Sequence, residues 1–188
     1  MSLQATTWQT VGPYFRIGLE YLDTFDLAPA GTAGERIAVE GSVLDGEGNP
    51  VPDAVIEIWQ ANSNGEYACA AGAAVDAPSA AFTGFGRIPT DNEGKFRFTT
   101  IRPGQVPGPG GVMQAPHLAV RVMMRGLLKS LVTRMYFPTE AAASDPILQL
   151  VPEQRRGTLI ATVDASREST LLWNIELQGA NETVFFDC

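Results

Sequence analysis

A single histidine restricts the chemistry open to this 188-residue chain. His117 is the only histidine, so a Ser-His-Asp or Cys-His catalytic unit would have to use it. The serine turn G-x-S-x-G, which carries the nucleophile in one large class of hydrolases, does not occur in the sequence. A metal site that needs two histidines cannot be formed within one copy of the chain. Many types of hydrolase active site and of histidine-containing metal site are therefore excluded.

Two further residues have side chains and surroundings that could serve a site. Tyr67 follows a loop, and as a tyrosinate its hard anionic oxygen would suit Fe(III); as a neutral phenol it would simply pack or form hydrogen bonds beside the loop. Arg134 is predicted to share a strand face with Val132 and Tyr136, which is an apolar setting for a charge. A charge in that setting needs a partner, and a guanidinium matches a carboxylate best. From the residues alone, Arg134 is predicted to form an internal pair with an Asp or Glu.

Composition indicates a globular protein and excludes several partners. Hydrophobic residues make up 45% and charged residues 18%, which does not favour disorder. The net charge of −8 and the absence of a Lys/Arg-rich block argue against nucleic acid. No apolar run is long enough to cross a bilayer and the N-terminus lacks signal-peptide features, so we expect a cytoplasmic protein. Cys69 and Cys188 are expected as free thiols, with a bridge between them as the alternative.

The elements that must position these residues are short strands separated by turns. Apolar and polar residues alternate over 37–43, 54–59, 95–98, 117–122 and 131–136, and further strands are predicted over 158–163, 171–177 and 183–186. Stretches 61–83 and 102–111 are predicted loops. The pattern predicts an all-β fold, a β-sandwich over 35–188 with an irregular arm and loop over 1–34, in one domain.

The motifs along these strands resemble those of the intradiol aromatic-ring dioxygenases. They are DAVIEIWQAN (53–62), GEY (65–67), GFGRIPTDNEGKFRFTTIRPG (84–104), APHLA (115–119) and LVTRMYF (131–137). The resemblance implies a β-sandwich and a mononuclear ferric iron held by two tyrosinates and two histidines. Residue by residue, those ligand positions fall on Tyr67, Val106, His117 and Ala119. We call these four positions the vestigial site, because two of them have no metal-binding atom.

By this resemblance the chain is the iron-free subunit of a heteromer and binds no metal itself. A homologous β chain would carry Fe(III), and the pair, in αβ units of a larger oligomer, would cleave a carboxylated catechol with O2. The resemblance also implies that Gly12, Pro13 and Tyr14 line the substrate pocket facing the partner's iron, and that Arg134 lends positive charge there. From the sequence pattern alone, without the family resemblance, Gly12–Tyr14 is predicted only as a turn that leads into the core.

Two other functions remain open from the sequence. One is a non-enzymatic sandwich module with the same fold that binds a protein or carbohydrate. The other is an enzyme that uses a different metal or none. For the subunit hypothesis, we expect exposed aromatic residues at both chain ends to form the partner interface: Trp8, Tyr14, Phe15, Tyr21, Phe25, Phe185 and Phe186.

Overall fold

The computed structural model describes residues 4–68 and 82–187. Within these ranges the chain forms short strands, with helical segments of only three or four residues. The strands are β1 (Arg36–Leu44), β2 (Val55–Trp59), β3 (Phe85–Pro89), β4 (Lys95–Ile101), β5 (Val106–Pro107), β6 (Met113–Gln114), β7 (His117–Met123), β8 (Leu131–Tyr136), β9 (Thr162–Asp164), β10 (Arg167–Leu172) and β11 (Ile175–Glu176). The α-helical turns are α1 (Tyr14–Ile17), α2 (Glu140–Ala143) and α3 (Glu153–Arg156), and 3-10 turns cover Glu20–Leu22, Pro109–Gly111, Leu148–Leu150 and Gly157–Leu159.

The first sheet is organised around β1. Strand β4 pairs antiparallel with one edge of β1, and β10 and β11 pair parallel with the other, while β9 adds to β10. Alternation along β1 turns Ile37, Val39 and Val43 inward. The inward position between them is Gly41, where a Cβ would lie 1.8 Å from the carbonyl oxygen of Trp173. The glycine lets the chain cross closely over β1 as it passes from β10 to β11.

The second sheet has the order β3-β2-β7-β8, with all neighbours antiparallel. Its inner face packs on the first sheet, and the two faces share one buried apolar cluster. This confirms the predicted all-β sandwich. The cluster includes Val39, Val43, Ile56, Ile58, Ile88, Phe96, Phe98, Leu118, Val120, Val122 and Met135. A smaller apolar cluster at the end of β8 includes Tyr136, Leu148 and Leu159.

Both outer strands of the second sheet bond to other parts of the chain. On β3, the carbonyl of Arg87 accepts the backbone N–H of Thr24 at 2.8 Å. On β8, the carbonyl of Val132 accepts the N–H of Phe186 at 2.8 Å, and that of Tyr136 accepts the N–H of Ala161 at 3.0 Å. The arm thus covers part of one sheet edge, and the C-terminal segment covers part of the other.

Several predicted boundaries differ from the structure. Strand β3 was not predicted, because Gly84, Gly86 and Pro89 hide its pattern. The predicted strand 158–163 begins as a 3-10 turn and is extended only from Thr162, and 171–177 is two strands rather than one. At 183–186 the predicted strand is only an isolated bridge from Phe186 to β8. The predicted loop 102–111 contains the short strand β5.

The arm has two short helical turns and an exposed aromatic surface. Trp8, Tyr14, Tyr21 and Phe25 are exposed, as expected. The expectation was wrong for three others. Phe15 is half-buried under the guanidinium of Arg87, and Phe185 and Phe186 pack against the chain's own apolar clusters. No helix in the described ranges has the length and hydropathy to span a membrane. Cys69 and Cys188 lie outside the described residues.

Candidate functional site

Two vestigial positions and Arg134 share the outer face of the second sheet. Ala119 of β7 pairs with Arg134 of β8 on one side and with Trp59 of β2 on the other. Residues directly opposite in antiparallel strands share a face. His117, two residues earlier on β7, therefore lies on the same face, opposite Tyr136. Strand pairing alone thus brings His117, Ala119 and Arg134 together.

Tyr67 reaches this region because two loops pack closely. The side-chain oxygen of Asn62 accepts two backbone N–H groups from the turn that follows it. Within that turn Gly65 has a φ of 83°, and a Cβ there would lie 1.9 Å from the carbonyl oxygen of Gln105. Only glycine permits this conformation and this approach. The Tyr67 loop therefore lies against the segment that leads into Val106.

His117 is buried and held in one orientation. Its Nδ1 lies 2.8 Å from the carbonyl oxygen of Ala115, so Nδ1 carries the proton and donates it. Nε2 then bears the lone pair of the neutral ring. Burial lowers the pKa of His117, and the nearby Arg134 cation lowers it further. The ring stays neutral at pH 7, as expected for a histidine that satisfies a local hydrogen bond.

Arg134 is half-buried and bonds to neutral groups. Its Nη1 donates to the side-chain oxygen of Gln114 at 2.7 Å and lies 3.5 Å from the hydroxyl of Tyr136. In the described ranges 4–68 and 82–187 it makes no ion pair with a carboxylate. The predicted internal Arg–Asp/Glu pair is thus absent there, because Gln114 occupies the partner position.

Arg134 is linked through Tyr136 to a buried carboxylate, Asp145, which sequence reasoning missed. The Tyr136 hydroxyl donates to Asp145 at 2.9 Å, so it joins the guanidinium to the carboxylate. Asp145 is 1% exposed and also accepts backbone N–H groups from Ala115, Ile147 and Leu148 at 2.8 to 2.9 Å. A local signal existed, because Asp commonly accepts N–H groups two and three residues on. The contacts with Ala115 and Tyr136 had no such signal.

The two tyrosines near Arg134 keep their protons at neutral pH. Burial raises the pKa of Tyr67, although the Arg134 cation opposes this. Burial raises the pKa of Tyr136 strongly for the same reason, again against the influence of Arg134. A protonated phenol is a poor metal ligand, because the tyrosinate anion is the form that binds Fe(III).

The vestigial site does not fit a mononuclear iron. Val106 and Ala119 offer only hydrocarbon, which leaves the Tyr67 phenol and Nε2 of His117 as possible ligands. In the part of the chain that the structure describes, no group of three or more His, Cys, Asp and Glu side chains could hold a metal. Two protein ligands would leave a metal open and weakly held.

The arm residues predicted to bind substrate lie elsewhere. Gly12, Pro13 and Tyr14 are exposed, with Tyr14 79% exposed and open space beside Gly12. Thr10 fixes this part of the arm to the β7–β8 turn, where its hydroxyl accepts the N–H of Gly126 at 2.8 Å. Further along, buried Arg87 donates to Asp23 at 2.9 Å and to backbone carbonyls of the arm.

The structure therefore does not bring Arg134 and the arm together. Arg134 lies opposite Ala119, whereas the arm is fixed at Met124 and Gly126, about five residues and roughly 17 Å further along the hairpin. A different cation stands beside the arm. Arg125, between the two residues that bond Thr10, is exposed and only loosely paired, with its Nη2 3.7 Å from an oxygen of Asp53.

Comparison with known proteins identifies the family of this chain. A family model described as Dioxygenase matches residues 11–179. The alpha chain of protocatechuate 3,4-dioxygenase from Burkholderia cepacia is 40% identical, over 99% of this chain and 98% of that relative. The chain belongs to the intradiol dioxygenase family. The family predicted from the motifs is confirmed.

Other members extend the comparison to both subunit types and to solved structures. The Pseudomonas putida alpha chain is 39% identical over 98% of this chain and 97% of its own length. The B. cepacia beta chain is 39% identical over 80% of this chain and 67% of its own length. Hydroxyquinol 1,2-dioxygenase from P. putida DLL-E4 shares the fold, with a TM-score of 0.60 and 24% identity, covering 94% of this chain and 67% of that one.

Proposed function

We propose that this chain is the alpha subunit of a protocatechuate 3,4-dioxygenase. With an iron-bearing beta chain, in αβ units of a larger cytoplasmic oligomer, it would cleave 3,4-dihydroxybenzoate with O2 to 3-carboxy-cis,cis-muconate. Near full-length similarity to two alpha chains supports the assignment, and similarity to a beta chain supports the kind of partner.

One observation carries the iron-free part of the proposal. The loops and strands pack closely around the vestigial site, as the approach of Gly65 to Gln105 and the pairing of Ala119 with Arg134 show. Val106 and Ala119 nevertheless have no ligand atom in their side chains. A chain that worked alone would need those atoms, whereas a subunit whose partner holds the iron would not. The Fe(III) of the beta chain would act as a Lewis acid and template when present.

This chain would contribute pocket wall through its arm. Gly12, Pro13 and Tyr14 face away from the chain's own core, and nothing in the described ranges fills the space beside Gly12. Backbone without a side chain can approach a flat ring closely. The exposed phenol of Tyr14 could then donate a hydrogen bond or stack at the edge of the partner's pocket.

Positive charge for the substrate carboxylate has two candidate sources. Arg134 was the prediction, but its guanidinium is tied to Gln114 about 17 Å along the hairpin from the arm's anchor. Arg125 lies beside the arm and is 58% exposed. If the arm and the cation act on one pocket, Arg125 is better placed.

The two arginines can be separated in the assembled enzyme. Arg134→Ala should raise KM without removing iron if Arg134 reaches the substrate, and Arg125→Ala should do so if Arg125 does. An unchanged KM removes the substrate role of the arginine concerned, and methyl 3,4-dihydroxybenzoate, which lacks the carboxylate charge, serves as the control substrate.

The subunit assignment is tested by purifying the chain alone and then together with a candidate beta chain. We expect an iron-free and inactive chain alone, and one iron per αβ pair with ring-cleaving activity together. Stoichiometric iron and activity in the isolated chain would contradict the proposal. A chain that never associates with a beta chain would instead favour the non-enzymatic sandwich module.

A further inference from the structure

The two vestigial positions that lost their ligand atoms are neighbours of one hydrogen-bonded pair. Val106 lies opposite Gln114 in the β5–β6 ladder, and Ala119 lies opposite Arg134 in the β7–β8 ladder. The Gln114 oxygen accepts from Nη1 of Arg134 at 2.7 Å, so this bond joins the two ladders. The guanidinium is thereby fixed beside both positions.

Gln114 is itself held in place. It is 8% exposed, and its Nε2 lies 3.4 Å from the carbonyl oxygen of Pro107 on the partner strand. The amide oxygen is therefore directed at Arg134 and the amide nitrogen at the backbone. The same Nη1 of Arg134 also lies 3.5 Å from the Tyr136 hydroxyl, whose proton is donated to Asp145. The two groups that accept hydrogen bonds from Arg134, the Gln114 amide and the Tyr136 hydroxyl, carry no charge. They hold the guanidinium in place without neutralising its positive charge.

The charge reaches both surviving ligand residues. The pKa of His117 is lowered by burial and by the Arg134 cation, while the carboxylate of Asp145 opposes these effects. At Tyr67 the same cation acts against the rise that burial causes in the phenol pKa. The geometry agrees with this. Arg134 lies opposite Ala119, two residues along β7 from His117, and its Nη1 lies 3.5 Å from the hydroxyl of Tyr136, whose ring centre is 5.7 Å from that of His117. At such separations the guanidinium repels a metal cation bound beside His117.

We propose that the Gln114–Arg134 pair excludes metal ions from the vestigial site, with the guanidinium taking the place of the positive charge that a metal would bring. The site is then closed to iron by repulsion as well as by missing ligands. Restoring the ligand atoms is not enough to restore binding, because the half-buried Arg134 cation already lies beside them.

The test restores the ligands with and without the charge. In the 188-residue chain, Val106→Tyr/Ala119→His is compared with the same variant carrying Arg134→Gln, which removes the charge and keeps a polar side chain. Two controls are made in the same ligand-restored variant. Arg134→Lys keeps the positive charge at this position, and Arg121→Gln removes an exposed positive charge elsewhere on β7. Each protein is incubated with ferric citrate and desalted, and its iron content and tyrosinate-to-iron absorption are measured.

We expect at least tenfold more iron per chain, with visible colour, only in the Arg134→Gln combination. Equal iron in the ligand-restored chain with and without Arg134→Gln would overturn the proposal, and so would failure of all folded combinations to bind. Since the measurement needs no beta chain and no substrate, its failure would leave the proposed subunit function untouched.

A second measurement covers the case in which the ligand-restored variants do not fold. His117 is the only histidine, so its ring signals can be followed by NMR through a pH titration. Arg134→Gln alone should raise the pKa of His117, because a nearby cation has been removed, whereas Arg121→Gln should leave it unchanged. An unchanged pKa of His117 in Arg134→Gln would show that the cation does not act on the site, and the proposal would fall.

Discussion

The two ends of the β7–β8 hairpin carry opposite kinds of surface. At the His117 and Tyr136 end, polar side chains are buried and bond to one another or to the chain's own backbone. At the turn end, Thr10 of the arm bonds to Gly126, and the nearby Trp8 is 67% exposed, with Nζ of Lys129 4.6 Å from its ring centre. The first end is complete within the chain, whereas the second exposes apolar surface that a partner could cover.

This difference separates the vestigial site from the surface that we propose for partner binding. The family motifs lie around the vestigial site. The arm has little sequence periodicity, yet it carries the large exposed aromatic side chains. Changes at the first end should therefore act on the chain's own stability, and changes on the exposed arm should act on association.

The largest effect should come from the buried contact that holds the arm to the sheet. Arg87→Ala removes a guanidinium that is 2% exposed, so that the Asp23 carboxylate keeps only its ion pair with Arg16. The backbone carbonyls of Phe15 and Leu19 lose their donor as well. We expect the free energy of unfolding to fall by about 3–5 kcal/mol, measured by urea denaturation. Arg97→Ala, at an exposed ion pair with Glu40, is the control and should cost less than about 1 kcal/mol. Equal losses would show that the arm is not anchored through Arg87.

Next in size is the buried carboxylate behind Arg134. Asp145→Ala leaves three backbone N–H groups and the Tyr136 hydroxyl without their acceptor. Each hydrogen bond to a charged group contributes about 1.5–3 kcal/mol, so a loss of roughly 3 kcal/mol in unfolding free energy is expected after relaxation. Iron content and partner binding should be unaffected where the protein folds. A loss below about 1 kcal/mol would mean that this end is less self-contained than its geometry indicates.

On the arm, the expected effect is on association rather than folding. Tyr21→Ala removes an aromatic side chain that the chain itself barely covers, so the unfolding free energy should change by less than about 0.5 kcal/mol. Binding to the beta chain should weaken by roughly 2 kcal/mol if Tyr21 is a central contact, measured by calorimetry or co-purification. Leu150→Ala, exposed near the other end of the hairpin, is the matched control. Equal binding by both variants would place the interface elsewhere.

The smallest effect is a pH dependence from His117. Its pKa is lowered from 6.5 in the folded chain, so the unfolded chain takes up the proton first as the pH falls. The contribution to stability is therefore fully present above about pH 6.5 and is lost progressively below it. Urea midpoints at about pH 7.5 and pH 5.5 should differ less in His117→Gln than in the original chain. An identical difference in both proteins would show that His117 is not responsible.

The sequence predicted the sandwich well because alternation is a local property. Strands such as β1, β4 and β7 show it plainly, and the motif mapping located His117 and Ala119 on one face. Strand β3 was missed because glycine and proline contribute no apolar alternation to it. Thr158–Leu159 was predicted extended, but it forms a 3-10 turn that buries Leu159 in the smaller cluster.

The site was harder to predict, because its contacts join distant parts of the chain. Asp145 reaches Ala115 and Tyr136, and Gln114 reaches Arg134 twenty residues later. No spacing rule indicates such pairs. The separation of Arg134 from the arm follows from strand register combined with the bond from Thr10 to the β7–β8 turn, and neither can be read from composition or local pattern.

The covered edges of the second sheet determine how a partner can attach. Unpaired edge strands invite a neighbour to add a strand of its own, which is both a mode of recognition and a route to aggregation. Here Thr24 occupies part of the β3 edge, and Phe186 and Ala161 occupy part of the β8 edge. A partner strand that paired along the whole of either edge would therefore have to displace the arm, the C-terminal segment or the chain around Ala161. Partner choice is then expected to depend more on the shape and chemistry of the exposed surface than on backbone pairing that any extended peptide could satisfy.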